Sequence, residues 1–369
     1  MQYATLGRTG LRVSRLGFGA MRLPMDGTTV NRELAIPMMH RAFEAGVTYM
    51  DTAVGYCNQD SQRVVGEALK GWRDRIVLST KNPCFEADEK AWWTNLENSL
   101  ERMGVQHIDI YNTHGINEEC YDRVVVPHIL KWMAKARDQG LIRHPCTSFH
   151  GTREFFRRMV DDGFYESVTI QYNLLNREFE EEIAYAKAAG MGIVVMGPVG
   201  GGRLGGDSEV LAGLVPDIRR IPELALRFVL ANPNVDVALS GMSTLDQVIE
   251  NAAVAAADVP LRANEMAVID AQTVRLAEMA KLYCTGCGYC MPCPSGVDIP
   301  RIFGIYNAGR VYGLWDHART QYAAMATSRQ ENHLPADCCI DCGACGAKCP
   351  QGIAIAEQLR HAHAALSKS

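Results

Sequence analysis

No apolar run in the sequence approaches the ~20 residues that a membrane-crossing helix needs, and the opening stretch MQYATLGRTGLRVSRLGFG holds no uninterrupted apolar segment of signal-peptide length. A cytoplasmic protein with no membrane partner is expected. Lys and Arg nowhere form a run. The net charge of -5 and an isoelectric point near 6.1 leave no basic surface for nucleic acid or for an anionic bilayer. There is no low-complexity tract. Most of the chain is also poor in cysteine: Cys57, Cys84, Cys120 and Cys146 are scattered, whereas nine of the 13 cysteines fall between 284 and 349. Without an export signal such clustered thiols stay reduced, which excludes a disulfide framework and favours metal. Small molecules and proteins are left as partners.

The 369 residues, 47% of them hydrophobic, are enough for one large domain and an appendage. Short β-rich runs alternate with helix-length segments as far as about residue 256. The strand candidates are RLGFGAM, VTYMDTA, RIVLSTK, HIDIYNTH, LIRHPCTSF, SVTIQYN, GIVVMGPV and VDVALSG. Between them lie segments such as NRELAIPMMHRAFEAG from residue 31, where Leu34, Met38, Ala42 and Phe43 recur at helical spacing and Gly46 ends the run. Eight strand–helix units point to an α/β fold of the (β/α)8 TIM-barrel class rather than an open sheet. Upstream, YATLGRTGLRVSRLG reads as a hairpin that closes the bottom of such a barrel. A helical pattern, NEMAVIDAQTVRLAEMAKLY, then leads into the first cysteine run. The expected domains are therefore 1–262, the barrel, and 263–369, a smaller and mostly α-helical domain.

In this kind of barrel, chemistry gathers at the C-terminal ends of the strands. Asp51 ends the second strand, Tyr56 follows in the next loop, Lys81 ends the third strand and His114 ends the fourth. Singly they read as a helix cap, a core ring, a solvated loop lysine and a satisfied core histidine. Together they form a device. A tyrosine hydroxyl with an ordinary pKa of ~10 is a poor acid at neutral pH unless a nearby cation stabilises its phenolate. Lys81 can supply that cation, Asp51 can hold Lys81, and His114 can donate a hydrogen bond to the same substrate oxygen. DTAVGY, LSTK and the histidine after the fourth strand resemble, in order and spacing, the Asp, Tyr, Lys and His tetrad of the aldo-keto reductases. The resemblance spans about residues 1 to 260.

That resemblance implies a nicotinamide cofactor across the barrel mouth. QYN at 171–173 is similar to a family motif in which the glutamine, here Gln171, bonds the carboxamide. GPVGGGRLGG from 197 is the loop after the seventh strand, where glycines let backbone N–H groups approach a pyrophosphate; Gly197, Pro198, Gly200 and Arg203 are the expected contacts. SGMSTLDQVIEN at 240–251 resembles the last cofactor segment, with Ser240, Gly241, Gln247 and Asn251 as contacts and Ser243 as the cap of a helix facing phosphate. Ser148 is expected to hold the carboxamide, but Phe149 and His150 follow it where many relatives carry a Ser-Asn pair. Met196 stands where many relatives place a stacking tyrosine. The segment also lacks the Lys and Arg with which some members grip an adenosine 2′-phosphate. Family habit favours NADP(H), and NAD(H) stays open.

The cysteine runs are CTGCGYCMPCP, with Cys284, Cys287, Cys290 and Cys293 before Pro294, and CIDCGACGAKCP, with Cys339, Cys342, Cys345 and Cys349 before Pro350. Three cysteines at intervals of three place thiolates round one cubane face, and the fourth, before proline, reaches the other cluster. Two [4Fe-4S] clusters are expected: one on Cys284, Cys287, Cys290 and Cys349, the other on Cys339, Cys342, Cys345 and Cys293. Zinc is the alternative, since paired C-x2-C units bind it tetrahedrally. Cys293 follows Cys290 at a shorter spacing than usual, and Cys338 is left over. The helical insert between the runs makes this part similar to the helical ferredoxin-type domains of respiratory iron–sulfur subunits, and the whole chain resembles a subgroup of aldo-keto reductases that carry one.

The expected activity is reduction of an aldehyde or ketone by hydride from NAD(P)H, with Tyr56 as general acid. A hydride donor does not readily split its electron pair, a flavin normally mediates between it and a cluster, and no flavin signature is present. A flavoprotein or other electron-transfer partner, a redox-sensing role, and a purely structural role therefore remain for the clusters. The alternative function is a catalytically weak sensor or electron-transfer module that binds the nucleotide.

Overall fold

The computed structural model describes residues 1–83, 86–257, 259–284, 286, 288–328, 330, 332–349 and 352–368, the side chains of 277 and 280–283 excepted. Cys287, an expected metal ligand, lies outside the described residues, as do Cys84 and Pro350. The chain forms two compact units, one of Met1–Gly201 with Ala225–Pro260 and the other of Gly202–Leu224 with Leu261–Ser369.

In the first unit eight parallel strands close on themselves. They are Leu16–Gly19, Tyr49–Asp51, Val77–Asn82, Ile108–Ile116, Ile142–Phe149, Ser167–Gln171, Gly192–Met196 and Val237–Gly241, each paired with its neighbours in sequence and the eighth with the first. All eight runs expected as strands are strands of the barrel. Both sides of the barrel strands are covered, so they are buried over most of their length, as in the wholly buried Leu16–Gly19. Register sets the level of the strand ends: Gly241 lies opposite Gly19, Gly19 opposite Asp51, and Asp51 opposite Ser79.

The hairpin of Tyr3–Thr5 and Arg12–Ser14 forms as expected. Its turn residue Gly7, at φ +44°, lies so close to the start of the seventh strand that a β-carbon would stand 2.1 Å from Gly192 N. Only glycine fits there. Around the barrel, helices turn one apolar face inward. Arg32–Glu44 buries Ala35, Met38, Met39, Ala42 and Phe43, is capped by Asn31, and leaves Leu34 exposed.

The second unit is helical, with Ala263–Tyr283, Ile299–Arg310, Trp315–Ser328 and Ile355–Leu366. Its core gathers Val297, Ile302, Phe303, Tyr322, Met325, Leu359 and Leu366 among others. The two cysteine runs come together through a parallel bridge between Val297 and Leu334, in which Leu334 N–H donates to Gly296 O at 3.0 Å and Asp298 N–H to Leu334 O at 3.1 Å. Residues 202–224, expected to continue the barrel domain, pack here instead. Ser208 Oγ donates to Tyr312 O at 2.6 Å, and the Arg203 guanidinium lies 5.2 Å from the Tyr312 ring centre. These side chains find their partners more than 100 residues downstream, which no local pattern reveals. No helix among the described residues is long and apolar enough to cross a membrane.

Candidate functional site

Strand register brings the four expected catalytic residues to one end of the barrel. Asp51 and Lys81 are buried, at 1% and 2% exposure. The Lys81 ammonium donates to Asp51 Oδ2 and, at 2.9 Å, to Thr52 O. The other carboxylate oxygen accepts from Ser79 Oγ at 2.8 Å, and Ser79 in turn accepts from Asn112 Nδ2 at 3.1 Å. Burial opposes the charge on Lys81, but Asp51 and Tyr56 outweigh it and its pKa lies above the ordinary value. The lysine is a fixed cation.

Tyr56 lies against that cation, with Lys81 Nζ 4.8 Å from its ring centre. His114 meets the Tyr56 ring edge-on, the centroids 6.2 Å apart and the planes at 81°. The Lys81 pull expected on the tyrosine is present but does not win: burial pushes the Tyr56 hydroxyl up, Lys81 pulls it down, and the net direction is upward. Tyr56 therefore holds its proton at neutral pH, and the pull of Lys81 takes effect only as that proton leaves. Burial, then Lys81 and His150, push His114 down to about 4. It is a neutral imidazole near pH 7, a hydrogen-bond donor rather than a charged acid.

After Tyr56 the backbone enters the left-handed region at three consecutive non-glycine residues, Cys57, Asn58 and Gln59, with φ of 49°, 53° and 70°. Such residues are costly, of order 1–3 kcal/mol each, and collect at functional sites. Cys57 Sγ lies 3.6 Å from Ala20 O and 3.5 Å from Met21 O, which ties this turn to the end of the first strand.

The expected cofactor contacts divide. Ser148 is buried and accepts from Gly115 N–H at 2.7 Å, fixing the residue after His114. Gln171 lies directly on Gly197: at that residue's φ of +64°, a β-carbon would meet Gln171 Nε2 at 2.6 Å. Asn173 Nδ2, overlooked in the sequence, pins Gly197 O at 3.1 Å. Pro198 and Gly200 continue this bare backbone, and Gly200 has φ +60°. At the end of the eighth strand Asn251 Nδ2 donates to the buried Ser240 Oγ at 3.2 Å. Ser243 is not the expected cap. Thr244 caps the helix Leu245–Ala256 by accepting from Gln247 N–H, and Gln247 Oε1 accepts from Ser243 N–H at 2.8 Å. Ser243 Oγ donates instead to Arg22 O at 2.7 Å. Arg203 belongs to the second unit. Backbone left bare at 197, 200 and 241 beside a free-standing amide at 171 is a cradle that fits a dinucleotide.

In the second unit, Cys293, Cys339, Cys342 and Cys345 line one small pocket together with Pro294, Ile299, Ile340, Ala356 and Leu359. These are the four ligands expected for one cluster, Cys293 of the shorter spacing included. Burial pushes the Cys345 thiol up, and Cys339, Cys293 and Cys342 beside it add to the rise. Four crowded thiols in an apolar wall fit a cubane, whose iron would reverse that penalty. No three His, Cys, Asp or Glu side chains among the described residues are placed to hold a single metal ion. Cys284, Cys290 and Cys349 pack half-buried against the same core, and Gly286 N–H points at Cys284 Sγ from 3.4 Å.

The sequence pattern of the aldo/keto reductase family matches residues 15–214, and that of a 4Fe-4S dicluster domain matches residues 283–354. L-galactose dehydrogenase of Arabidopsis thaliana is 26% identical over 283 residues, which cover 69% of this chain and 88% of its own. An uncharacterised oxidoreductase of Schizosaccharomyces pombe is 27% identical over 278 residues, 70% of this chain and 86% of its own. Among solved structures, an aldo-keto reductase from Bacillus halodurans superposes with a TM-score of 0.64 at 29% identity, covering 73% of this chain and 96% of that one.

Proposed function

Since the chain belongs to the aldo/keto reductase family, and a 4Fe-4S dicluster pattern follows the barrel, we propose that it is an NAD(P)H-dependent reductase of small aldehydes or ketones in which Tyr56 is the general acid. When bound, the nicotinamide nucleotide supplies the hydride; NADP(H) is favoured and NAD(H) is the alternative. Ser148, Gln171, Gly197, Pro198, Gly200, Ser240, Gly241, Gln247 and Asn251 are the residues that would hold it.

The single observation that supports this reading most is the buried Asp51–Lys81 pair beneath the Tyr56 ring. Tyr56 arrives protonated because burial keeps its proton on. As the proton moves to the substrate oxygen, the phenolate forms beside Lys81, whose charge Asp51 fixes in place, and the low-dielectric surroundings make that stabilisation large. His114, neutral, orients the same oxygen by hydrogen bonding. Changing Tyr56 to Phe should lower kcat/KM for carbonyl reduction by about 10²- to 10⁴-fold while leaving NADPH affinity intact. An unchanged rate overturns the assignment.

Each [4Fe-4S] cluster stores one electron when bound. The sets are Cys293 with Cys339, Cys342 and Cys345, and Cys284, Cys290 and Cys349 with Cys287, which lies outside the described residues. A one-electron carrier, such as a flavoprotein, is the partner this implies. Anaerobic titration of the iron-loaded protein with NADPH, followed by visible absorbance and EPR, tests the link: a reduced-cluster signal joins barrel and clusters electronically. No signal, where dithionite gives one, assigns the clusters to structure or to another donor.

A further inference from the structure

One cation at the barrel mouth has no part in the reaction outlined above. Arg22 follows the first strand, is exposed, and forms no ion pair among the described residues. Its placement is nevertheless built. The Ser243 hydroxyl anchors its carbonyl at 2.7 Å. Its aliphatic stem lies along Gly241, where a β-carbon would meet Cδ at 3.4 Å, Cγ at 3.5 Å and Cβ at 3.6 Å. Its head reaches the loop after the seventh strand, where Nη2 stands 3.5 Å from the place a β-carbon of Gly201 would take. The guanidinium thus spans the gap between the two bare stretches of backbone, one on each side of it.

The neighbouring helix end does not account for the positive character of this corner. Thr244 engages the Gln247 N–H and Gln247 engages the Ser243 N–H at the start of Leu245–Ala256, and Arg22 is the cationic donor beside them. A guanidinium offers five N–H groups in a rigid plane, matched to an anion with several oxygens.

We propose that Arg22 clamps the diphosphate of the nicotinamide dinucleotide, the part common to NADP(H) and NAD(H). This rests on the reading of the barrel as a nucleotide-dependent reductase. Strand register favours the diphosphate over the adenosine 2′-phosphate. Gly19 and Gly241 stand level with Asp51, and Arg22 is three residues beyond Gly19, within about 10 Å of chain. In a dinucleotide the diphosphate is one ribose from the nicotinamide, whereas a 2′-phosphate hangs from the far ribose. Ser243 acts as a positioning residue by holding the Arg22 backbone.

The test is equilibrium binding of NADPH, NADH and adenosine 2′-monophosphate to the full chain and to its Arg22→Gln and Arg22→Lys variants. Loss of a charged hydrogen-bonding group should weaken NADPH and NADH by the same factor, roughly ten- to a hundredfold. It should flatten the salt dependence of binding and leave adenosine 2′-monophosphate, which has no 5′-phosphate, unaffected. Lysine should recover part of the loss. Weakening confined to NADPH and adenosine 2′-monophosphate would move Arg22 to the 2′-phosphate and overturn the proposal, as would unchanged affinity for both dinucleotides. Ser243→Ala, expected to weaken both dinucleotides by a smaller common factor, keeps the test decisive if the Arg22 variants fold poorly. A parent protein that binds neither dinucleotide would sink the reductase reading itself, a result distinct from any difference between variants.

Discussion

Changing Asp51 to Asn removes one charge from a buried pair and leaves the other without its partner. The Lys81 ammonium is 2% exposed, and besides Asp51 it has the Thr52 carbonyl at 2.9 Å. Breaking such a pair from one side costs about 3 to 5 kcal/mol, because a desolvated charge is left uncompensated. For a unit of this size the melting temperature should fall by on the order of 10 °C. Tryptophan fluorescence during urea unfolding is a suitable assay, since Trp72, Trp92, Trp93 and Trp132 belong to the barrel unit and only Trp315 to the other. Adding Lys81→Met should return much of the stability, since an apolar replacement of both charges is often close to neutral. The sign of the pH dependence follows from Lys81. In the parent its folded pKa is raised, so the pair's contribution is complete below the unfolded pKa of ~10.4 and is lost as pH rises through the folded value. In Asp51→Asn the desolvated lysine has a depressed pKa, and that variant gains stability as pH rises towards ~10.4. The gap between the two proteins should therefore narrow on the alkaline side. A cost below about 1 kcal/mol, or a double variant as unstable as the sum of the singles, would refute the reasoning.

Two further outcomes follow. The folded pKa of His114 is depressed to about 4, so between pH ~6.5 and 4 the unfolded chain binds the extra proton and stability falls as pH drops, by about 3 kcal/mol over the window; urea unfolding of His114→Gln should show a correspondingly shallower acid limb, and identical slopes would contradict the assignment. Cys293→Ser should remove roughly half of the bound iron and the same EPR signal that Cys339→Ser removes, and Cys349→Ser the signal that Cys284→Ser removes; loss of the Cys284→Ser signal in Cys293→Ser would show that the fourth cysteines do not cross.

What could be read from the sequence was whatever repeats or sits at strand ends. The eight strands and the sites of Asp51, Lys81 and His114 follow from alternation and from polar residues closing apolar runs, and the hairpin at residue 3 follows from its glycine turn. Leu34 fitted a helical spacing yet lies on the outer face, because a 3.6-residue period fixes a stripe and not which side of it is covered. Ser243 and Thr244 are both good caps by residue type; only the direction of the Ser243 hydroxyl, towards Arg22, separates them. The neighbour of Arg203 in the structure, Tyr312, is 109 positions away, beyond the reach of any local pattern. Arg22, Asn173 and Asn112 gave no signal because each acts through a partner on another strand or in the loop that follows one.

The division of the chain bears on how such a protein can arise and be taken apart. Its backbone passes between the two units three times, at 201/202, 224/225 and 260/261, so the iron–sulfur part is not a pendant joined by one seam. A stop codon after residue 260 would deprive residues 202–224 of the partners that order them, the Tyr312 carbonyl and ring among them. A single cut at any of these three crossings separates a segment of one unit from the rest of that unit.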